Sequence, residues 1–348
     1  MAGGGFRFGY YLGIYAAAVE AEKQPDLLLA SCGGSIAAAI IQALPTDAER
    51  RAWVSSRAMF DFMRGLESTA RAAITSAVLP AIRRRLDSSR ARLIPDLFDD
   101  YLFELPAQLP LPPVSAHGAT EIAIVGGKLL FTPADVGQPR AGRKLFAETV
   151  FSGPRATALL RGMPAPMGAP AWGDTAIAPP LVLDQAMPVA DAVRISISDM
   201  FYFRCHAHAS GNYMGGVIDL FPIELANRLA NQVMIEMKSP FNQALAIPAL
   251  RAVLGVDGNA RLRHIHEQHA ETWIDTSDVE TELRGRGVRK VLSWRDNQIR
   301  LVVTGDYAQY VADVEAQWQY GYRRAMEAFG HAGKRPMRNA TRHNWRGA

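Results

Sequence analysis

The chain has 348 residues, 49% of them hydrophobic, a formal net charge of +4 and two cysteines. That is enough apolar material for one large core, with too few cysteines for a disulfide framework and no recognisable nucleic-acid-binding module. No basic stretch followed by an apolar run and a cleavage site opens the chain, so a cytoplasmic protein with free thiols is expected.

The first feature is Gly3-Gly4-Gly5-Phe6-Arg7-Phe8-Gly9-Tyr10-Tyr11-Leu12-Gly13, followed by a helical run over 14–22. A glycine-rich loop at a helix start offers backbone N–H groups to a phosphate or to an oxyanion. A dinucleotide loop would need a strand ahead of it and an acid about 20 residues later. With only Met1 and Ala2 before the glycines, an oxyanion loop is the better reading.

Leu27-Leu28-Leu29 then reads as a short buried strand, Ala30-Ser31-Cys32-Gly33-Gly34 as a tight turn, and residues 35–41 as an Ala-rich helix. Together they make a nucleophile elbow, which exposes one side chain on a sharp strand-to-helix turn. Cys32 stands where a hydrolase carries serine. A helix N-terminus can lower a thiol pKa from about 8.5 to roughly 3.5–7.5, although the same residues would also suit an inert cysteine in a Gly-rich turn. Residues 27–44 carry no charge over 18 positions, near the length of a membrane span, but the internal turn argues for a strand and then a helix.

Residues 47–67 and 68–86 look helical, the second ending in Arg83-Arg84-Arg85. Ala77-Val78-Leu79 and Ile82 beside those arginines could rest on an anionic membrane surface, a solvated basic helix end being the plainer alternative. Residues 96–105 mix acids with aromatics and read as another short helix. After a Pro-rich connection over 106–113, segments 120–125 and 128–132 flank Gly126-Gly127 as a hairpin. Residues 163–188, rich in Pro, Ala and Gly, read as a long loop or lid.

Arg204-Cys205-His206-Ala207-His208-Ala209 alternates histidines with small residues, as on one strand face. Cys205, His206 and His208 fall short of a zinc set because adjacent positions point to opposite faces, so no metal is expected. The segment Tyr213-Met214-Gly215-Gly216-Val217-Ile218-Asp219 follows. Beyond it come a helix over 222–231, a strand over 232–237, helices over 244–254 and 260–269, and strands over 272–276, 291–294 and 298–303. A long amphipathic helix over 306–329 aligns Tyr310, Val311, Val314, Trp318, Tyr322 and Met326. His264, His266 and His269 on a charged helix are weak metal candidates, and residues 331–348 form a basic tail.

Three of these segments resemble the patatin-like phospholipase family, which pairs a Gly-Gly-Gly-x-Arg-Gly loop with a Gly-x-Ser-x-Gly elbow and a later Asp-Gly-Gly or Asp-Gly-Ala. The first is matched by Gly3, Gly4, Gly5 and Arg7, with Phe8 in place of the last glycine. The second is matched over Ala30 to Gly34 with Cys32 for serine, and the third at Gly215-Gly216 with Met214 for aspartate. The resemblance covers Gly3 to Ala226 in the family's order. It implies a three-layer α/β fold, with a central, mostly parallel sheet and helices on both faces. A single domain would span 1–330, with 46–118 as a cap. It also implies an oxyanion hole from Gly3, Gly4, Gly5 and Gly33, supported by Arg7, Met214, Gly215, Gly216 and Asp219. Family members carry a strand just before the glycine-rich loop, so the natural start is expected to lie upstream of Met1.

Both members of the family's Ser–Asp dyad are replaced. Histidine is the usual partner of a cysteine nucleophile, and the 206–208 strand leads towards the lost aspartate. A dyad of Cys32 with His208, or with His206, is therefore expected, while Asp199 and Asp219 read as turn or cap residues. The expected protein is a lipid acyl hydrolase or acyltransferase that acts on esters or thioesters through a Cys32 acyl-enzyme, without a cofactor. Its partners would be a lipid or an acyl thioester such as acyl-CoA or acyl-carrier protein, with peripheral contact to anionic membrane and no specific nucleic acid. The alternative is a catalytically inactive lipid-binding or regulatory protein.

Overall fold

A computed structural model describes residues 1–87, 90–113, 120–303 and 305–330. Helix α1 (Phe8–Glu20) starts directly after the glycine-rich loop, and β1 (Leu27–Ala30) runs into the almost wholly buried α2 (Gly33–Ala43). Span 47–67 contains two helices rather than one. Helix α3 (Asp47–Val54) opens on a Thr46–Glu49 capping box and α4 (Arg57–Arg64) on the Ser56 side chain. Each cap satisfies helix-start amides, so the chain stops and restarts there. Span 68–86 is likewise divided: Glu67–Ser68 is strand β2, and only Ile74–Leu86 is α-helix (α5).

The helix expected over 96–105 is replaced by a turn. Asp96 accepts from the amides of Phe98 and Asp99, and Phe103–Glu104 forms β3 against β2. A short acid that binds backbone amides two and three residues on favours a turn over a helix interior. The expected hairpin at Gly126-Gly127 is also corrected, because both glycines lie inside one strand, β4 (Glu121–Leu129). A Cβ at Gly126 would stand 2.7 Å from Ile195 Cγ2, and one at Gly127 2.9 Å from Ile218 Cδ1 and Met214 Cγ. These glycines serve close approach, not a turn.

Strand β5 (Phe146–Ser152) and helix α6 (Pro154–Leu160) follow. Span 163–188 is no loose lid. Ala165, Met167, Ala176 and Ile177 are buried, and β6 (Val182–Asp184) pairs with β5. Helix α7 (Val189–Ile197) leads to the hairpin of β7 (His206–His208) and β8 (Gly211–Met214). Helix α8 (Ile223–Leu229), β9 (Met234–Met237), α9 (Ala246–Leu254), α10 (Gly258–Glu267) and β10 (Thr272–Asp275) come next. The described chain closes with α11 (Val279–Glu282), the hairpin β11 (Val288–Ser293) and β12 (Gln298–Val303), and α12 (Tyr307–Gly330).

The main sheet runs β6-β5-β4-β8-β7, and β1 also pairs with β4. Two of its pairings are parallel (β1–β4, β5–β6) and three antiparallel (β4–β5, β4–β8, β7–β8), so the sheet is mixed rather than mostly parallel. The cause for β7–β8 is local, since so short a connection can only join antiparallel strands. With β5 along one edge of β4, the other edge is shared. There β1 occupies residues 121–124 and β8 residues 127–128, the two approaching from opposite ends. Their last residues, Ala30 and Met214, therefore converge on the same short stretch of β4.

Alternate residues of β4 serve different cores. Ile122 and Ile124 pack with Tyr11, Ile40 and Val314, whereas Ala123 and Val125 pack with Leu160, Leu229 and Leu254. Helices thus cover both sheet faces, an α/β arrangement in layers. Helices α1 and α12 meet through glycines: a Cβ at Gly13 would collide with Trp318 O, and one at Gly321 with Tyr10 O. Strands β9 and β10 form a separate parallel pair. No helix among the described residues is long and apolar enough to cross a membrane. The basic tail over 331–348 lies outside the described residues.

Candidate active site

Cys32 caps the N-terminus of α2 with φ 50° and ψ −130°, a backbone conformation that L-residues rarely adopt. The surrounding loops hold it there. Its amide donates to Ser196 Oγ at 2.9 Å, and Ser196 Oγ in turn donates to Val125 O on β4 at 2.7 Å. Its carbonyl accepts from Ser35 Oγ at 2.6 Å and from the Ser35 amide at 2.9 Å. One residue earlier, Ser31 Oγ reaches Gly216 O at 2.9 Å and Asp219 O at 2.7 Å. The elbow is thereby fastened to the chain leaving β8, as the convergence of β1 and β8 requires.

The partner of the thiol is a carboxylate. Cys32 Sγ donates to Asp199 Oδ2 at 3.0 Å. Asp199 lies just beyond the C-terminus of α7, and its other oxygen accepts from the Val217 amide at 3.2 Å. Gly215 seats it: the Gly215 amide donates to Ser198 O at 2.7 Å, and no side chain separates that glycine from the carboxylate. The Gly-Gly pair expected to follow an aspartate instead lies beside the Asp199 carboxylate, which arrives from another loop. Met214, in the aspartate's expected place, is buried in the core against Gly127.

Electrostatics set the resting state of this pair. Cys32 is a free thiol and half-buried. Burial, followed by the charge of Asp199, pushes its pKa well above the usual thiol value, while the Gly33 and Gly5 amides pull the other way. The lowering expected from the helix N-terminus is thus outweighed. Burial also raises Asp199, to about 6, against its hydrogen bonds from Cys32 and Val217. At neutral pH the pair is a thiol hydrogen-bonded to an ionised carboxylate.

Of the glycines expected to hold an oxyanion, Gly5 and Gly33 have amides that act on the sulfur. The Gly3 amide is committed to Leu220 O at 3.2 Å, so Gly3 anchors the loop instead. Gly4 packs on the hydroxyls of Tyr10 and Tyr11, and Tyr11 donates to Ala2 O. Arg7 clamps the far end of the loop by a two-pronged bond to Glu280 at 2.6 and 2.9 Å. Asp219 faces away from the thiol: its carboxylate accepts from Arg261 at 2.9 Å and from the Phe221 amide at 3.3 Å. Burial raises that carboxyl to about 6, against the pull of Arg261.

The histidine partnership expected from the sequence does not form. His206 Nε2 stands 3.8 Å from Asp191 Oδ1, and His208 Nδ1 pairs with Ser210 Oγ at 2.7 Å in the hairpin turn. Strand order explains this: β7 is an edge strand that reaches only β8, one strand removed from the place where β1 ends. Burial lowers the pKa of His206, so it is neutral near pH 7. Cys205 is buried, and burial raises its thiol to about 11. Among the described residues no group of three or more His, Cys, Asp or Glu is placed to hold a metal.

Asp199 is the residue that sequence reasoning misplaced. The available signal was a mismatch: Gly215-Gly216 fit the family's pattern, while Met214 stands where that pattern has an acid. Glycines kept without that acid leave room for one arriving from elsewhere in the chain.

The fold and this turn define a layered α/β protein in which a sharp strand-to-helix turn sets Cys32 against a carboxylate. The sequence pattern of the patatin-like phospholipase family matches residues 1–227, and the chain belongs to that family. A search for relatives among curated proteins finds no match. Membership supports lipid acyl hydrolysis as the general activity, and the match ends before β9.

Proposed function

We propose that this chain transfers or hydrolyses acyl groups through a covalent Cys32 thioester, with Asp199 as its proton acceptor. The observation that carries the reading is the 3.0 Å bond from Cys32 Sγ to Asp199 Oδ2, on a backbone held in the elbow conformation. Because the resting sulfur is a thiol, attack and proton transfer belong to one step. As Sγ bonds to the carbonyl carbon of an ester or thioester, its proton passes to Asp199, and the carbonyl electron pair moves onto oxygen. The amides of Gly5 and Gly33 favour negative charge beside the sulfur and receive the oxyanion.

Collapse re-forms the carbonyl and breaks the bond to the leaving alkoxide or thiolate, which takes the proton back from Asp199. Water, or a second hydroxyl or amine, then attacks the Cys32 thioester. Asp199 accepts the proton of that nucleophile and returns it to the departing sulfur, restoring the thiol. A thioester donor suits this cycle as well as a lipid ester does, since exchange between two sulfurs is nearly balanced.

The lipid side of the reading is supported by α5. Val78, Leu79, Ile82 and Leu86 are exposed on it, beside Arg83 and Arg85. Exposed apolar side chains flanked by cations fit an anionic lipid surface.

The deciding experiment is the intact mass of the protein after exposure to p-nitrophenyl esters and acyl-CoA donors, alongside Cys32→Ala. A hydroxylamine-labile adduct of one acyl group, absent from the variant, is the expected result. No adduct and no turnover, with acyl ligands still bound, would replace this reading with a lipid-binding protein on a retired site.

A further inference from the structure

Behind the glycine-rich loop lies a buried polar cluster that the acyl chemistry does not use. Glu236 stands on β9, and Lys238 follows the end of that strand, where Met237 O accepts from the Thr276 amide at 3.0 Å. Side chains two apart on an extended chain point the same way. Both are buried, Glu236 4% exposed and the Lys238 side chain 9%. Neither falls within the stretch that matches the family.

Their bonds close around one residue, Ala2. Lys238 Nζ donates to Glu236 Oε1 at 2.7 Å and to Tyr10 OH at 2.5 Å. The other carboxylate oxygen, Oε2, accepts from the Ala2 amide at 3.1 Å, while Tyr11 OH donates to Ala2 O. The Tyr10 and Tyr11 rings adjoin, with centroids 4.1 Å apart, and Lys238 Nζ lies 4.7 and 5.7 Å from them. Side chains thus satisfy both backbone groups of a buried residue that belongs to no helix or strand. Against burial, the charge of Lys238 holds the Glu236 carboxyl below its ordinary value, so the two form an ion pair.

A buried ion pair is poor evidence for stability, since apolar residues of the same size often fold as well in its place. Apolar residues would not, however, hold the backbone of Ala2, and Ala2 leads into the oxyanion loop. The next residue, Gly3, is tied by its amide to Leu220 O. Gly4 then rests on the two hydroxyls, where an added Cβ would stand 2.5 Å from Tyr10 OH and 2.6 Å from Tyr11 OH. Gly5 meets the elbow, because a Cβ at Gly33 would collide with Gly5 O. Three successive residues are therefore fixed just ahead of the Gly5 amide, which acts on the Cys32 sulfur.

We propose that Lys238 is a positioning residue for the oxyanion loop. Through Tyr10 and the Glu236 carboxylate, with Tyr11 beside them, it fixes Ala2 and Gly4 and so aims the Gly5 amide at the oxygen that gains charge during acylation of Cys32. The inference rests on the Cys32 acyl-enzyme reading and adds a residue that acts on the loop rather than on the reacting atoms. Precision is what such a residue supplies: a misplacement of about 1 Å can slow a reaction about a hundredfold.

The test contrasts two reactions of the same sulfur. Acylation by a p-nitrophenyl ester builds an oxyanion, whereas alkylation by iodoacetamide displaces iodide from a saturated carbon and builds none. Lys238→Met should acylate about tenfold more slowly or worse, with alkylation of Cys32 within about twofold of wild type. Tyr11→Phe keeps both charges and loses only the donor to Ala2 O. It should show the same split, with acylation about threefold slower or worse, and it carries the test if Lys238→Met folds poorly with Glu236 unpaired. Equal slowing of both reactions would overturn the proposal in favour of a general loss of structure. Unchanged acylation in both variants, beside a wild type that acylates, would overturn the proposal alone. A wild type that is alkylated at Cys32 yet takes no acyl group would overturn the acyl-enzyme reading and the proposal with it.

Discussion

Gly216 lies so close to the amide of Cys32 that an added Cβ would stand 2.6 Å from that nitrogen and from Ser31 Oγ, and 2.8 Å from Ser196 Oγ. All three atoms belong to the network that holds the elbow. Gly216→Ala should therefore destabilise the protein by about 2 kcal/mol or more, as overpacking of a tight site does. Cys32 alkylation should also change in rate. Denaturant midpoints and iodoacetamide kinetics check this, and an unchanged protein on both counts would refute the geometry.

Asp199→Asn keeps the shape of the pair but removes the proton acceptor. Acyl-enzyme formation should fall by roughly 10²–10⁴-fold, the range of general-base contributions. The wild-type rate should rise with pH through a midpoint near 6, where Asp199 ionises, and the variant should lose that limb. Stopped-flow acylation across pH 4.5–8 reads both effects.

The same carboxylate makes the site costly to fold. Its folded-state pKa of about 6 exceeds the usual 3.8, so the protonated form is the one the fold favours. The stability it contributes is complete below about pH 4 and is lost as pH rises through about 6. Relative to wild type, Asp199→Asn should gain a few degrees of Tm at pH 8 and nothing at pH 4. A gain of the same size at both pH values would assign it to packing instead.

Met214→Asp restores the residue type the family carries, yet no recovery of function is expected. Met214 is fully buried among apolar groups beside Gly127 and Ile218. An unpaired carboxylate there should cost about 3–5 kcal/mol, whereas Met214→Leu should cost less than about 1.5 kcal/mol. Urea unfolding of the two variants separates these outcomes.

His206→Ala and His208→Ala should leave Cys32 labelling and acylation within about twofold of wild type, because neither ring reaches the sulfur. On α5, Leu79→Ser with Leu86→Ser should weaken binding to phosphatidylglycerol vesicles about tenfold, leaving acylation by a soluble p-nitrophenyl ester unaltered. Co-sedimentation measures the first effect, and equal binding by the double variant would remove α5 from the lipid surface.

The elbow was legible because its signal is local: three leucines, small residues around Cys32 and an alanine-rich run fix strand, turn and helix within a few positions. The long closing helix was legible for the same reason, with Tyr310, Val314 and Trp318 buried as their spacing predicts. Asp199 was not legible, since an acid after a helix looks like any turn residue until β1 and β8 meet on β4. Gly126-Gly127 misled because a glycine needed for close approach and one needed for a turn are the same letter. The histidines misled because period-two spacing gives a strand face but not the strand's rank in the sheet.

The two-pronged bond between Arg7 and Glu280, and the glycine contacts joining α1 to α12, reach beyond the boundary of the family match. They tie the start of the chain to its last third. A protein cut after residue 227 would keep the whole stretch that matches the family while losing the grip on its glycine-rich loop. In this chain the recognisable part and the structural unit have different borders, so exchanging or trimming segments at the recognisable border would separate Cys32 from the framework that holds it.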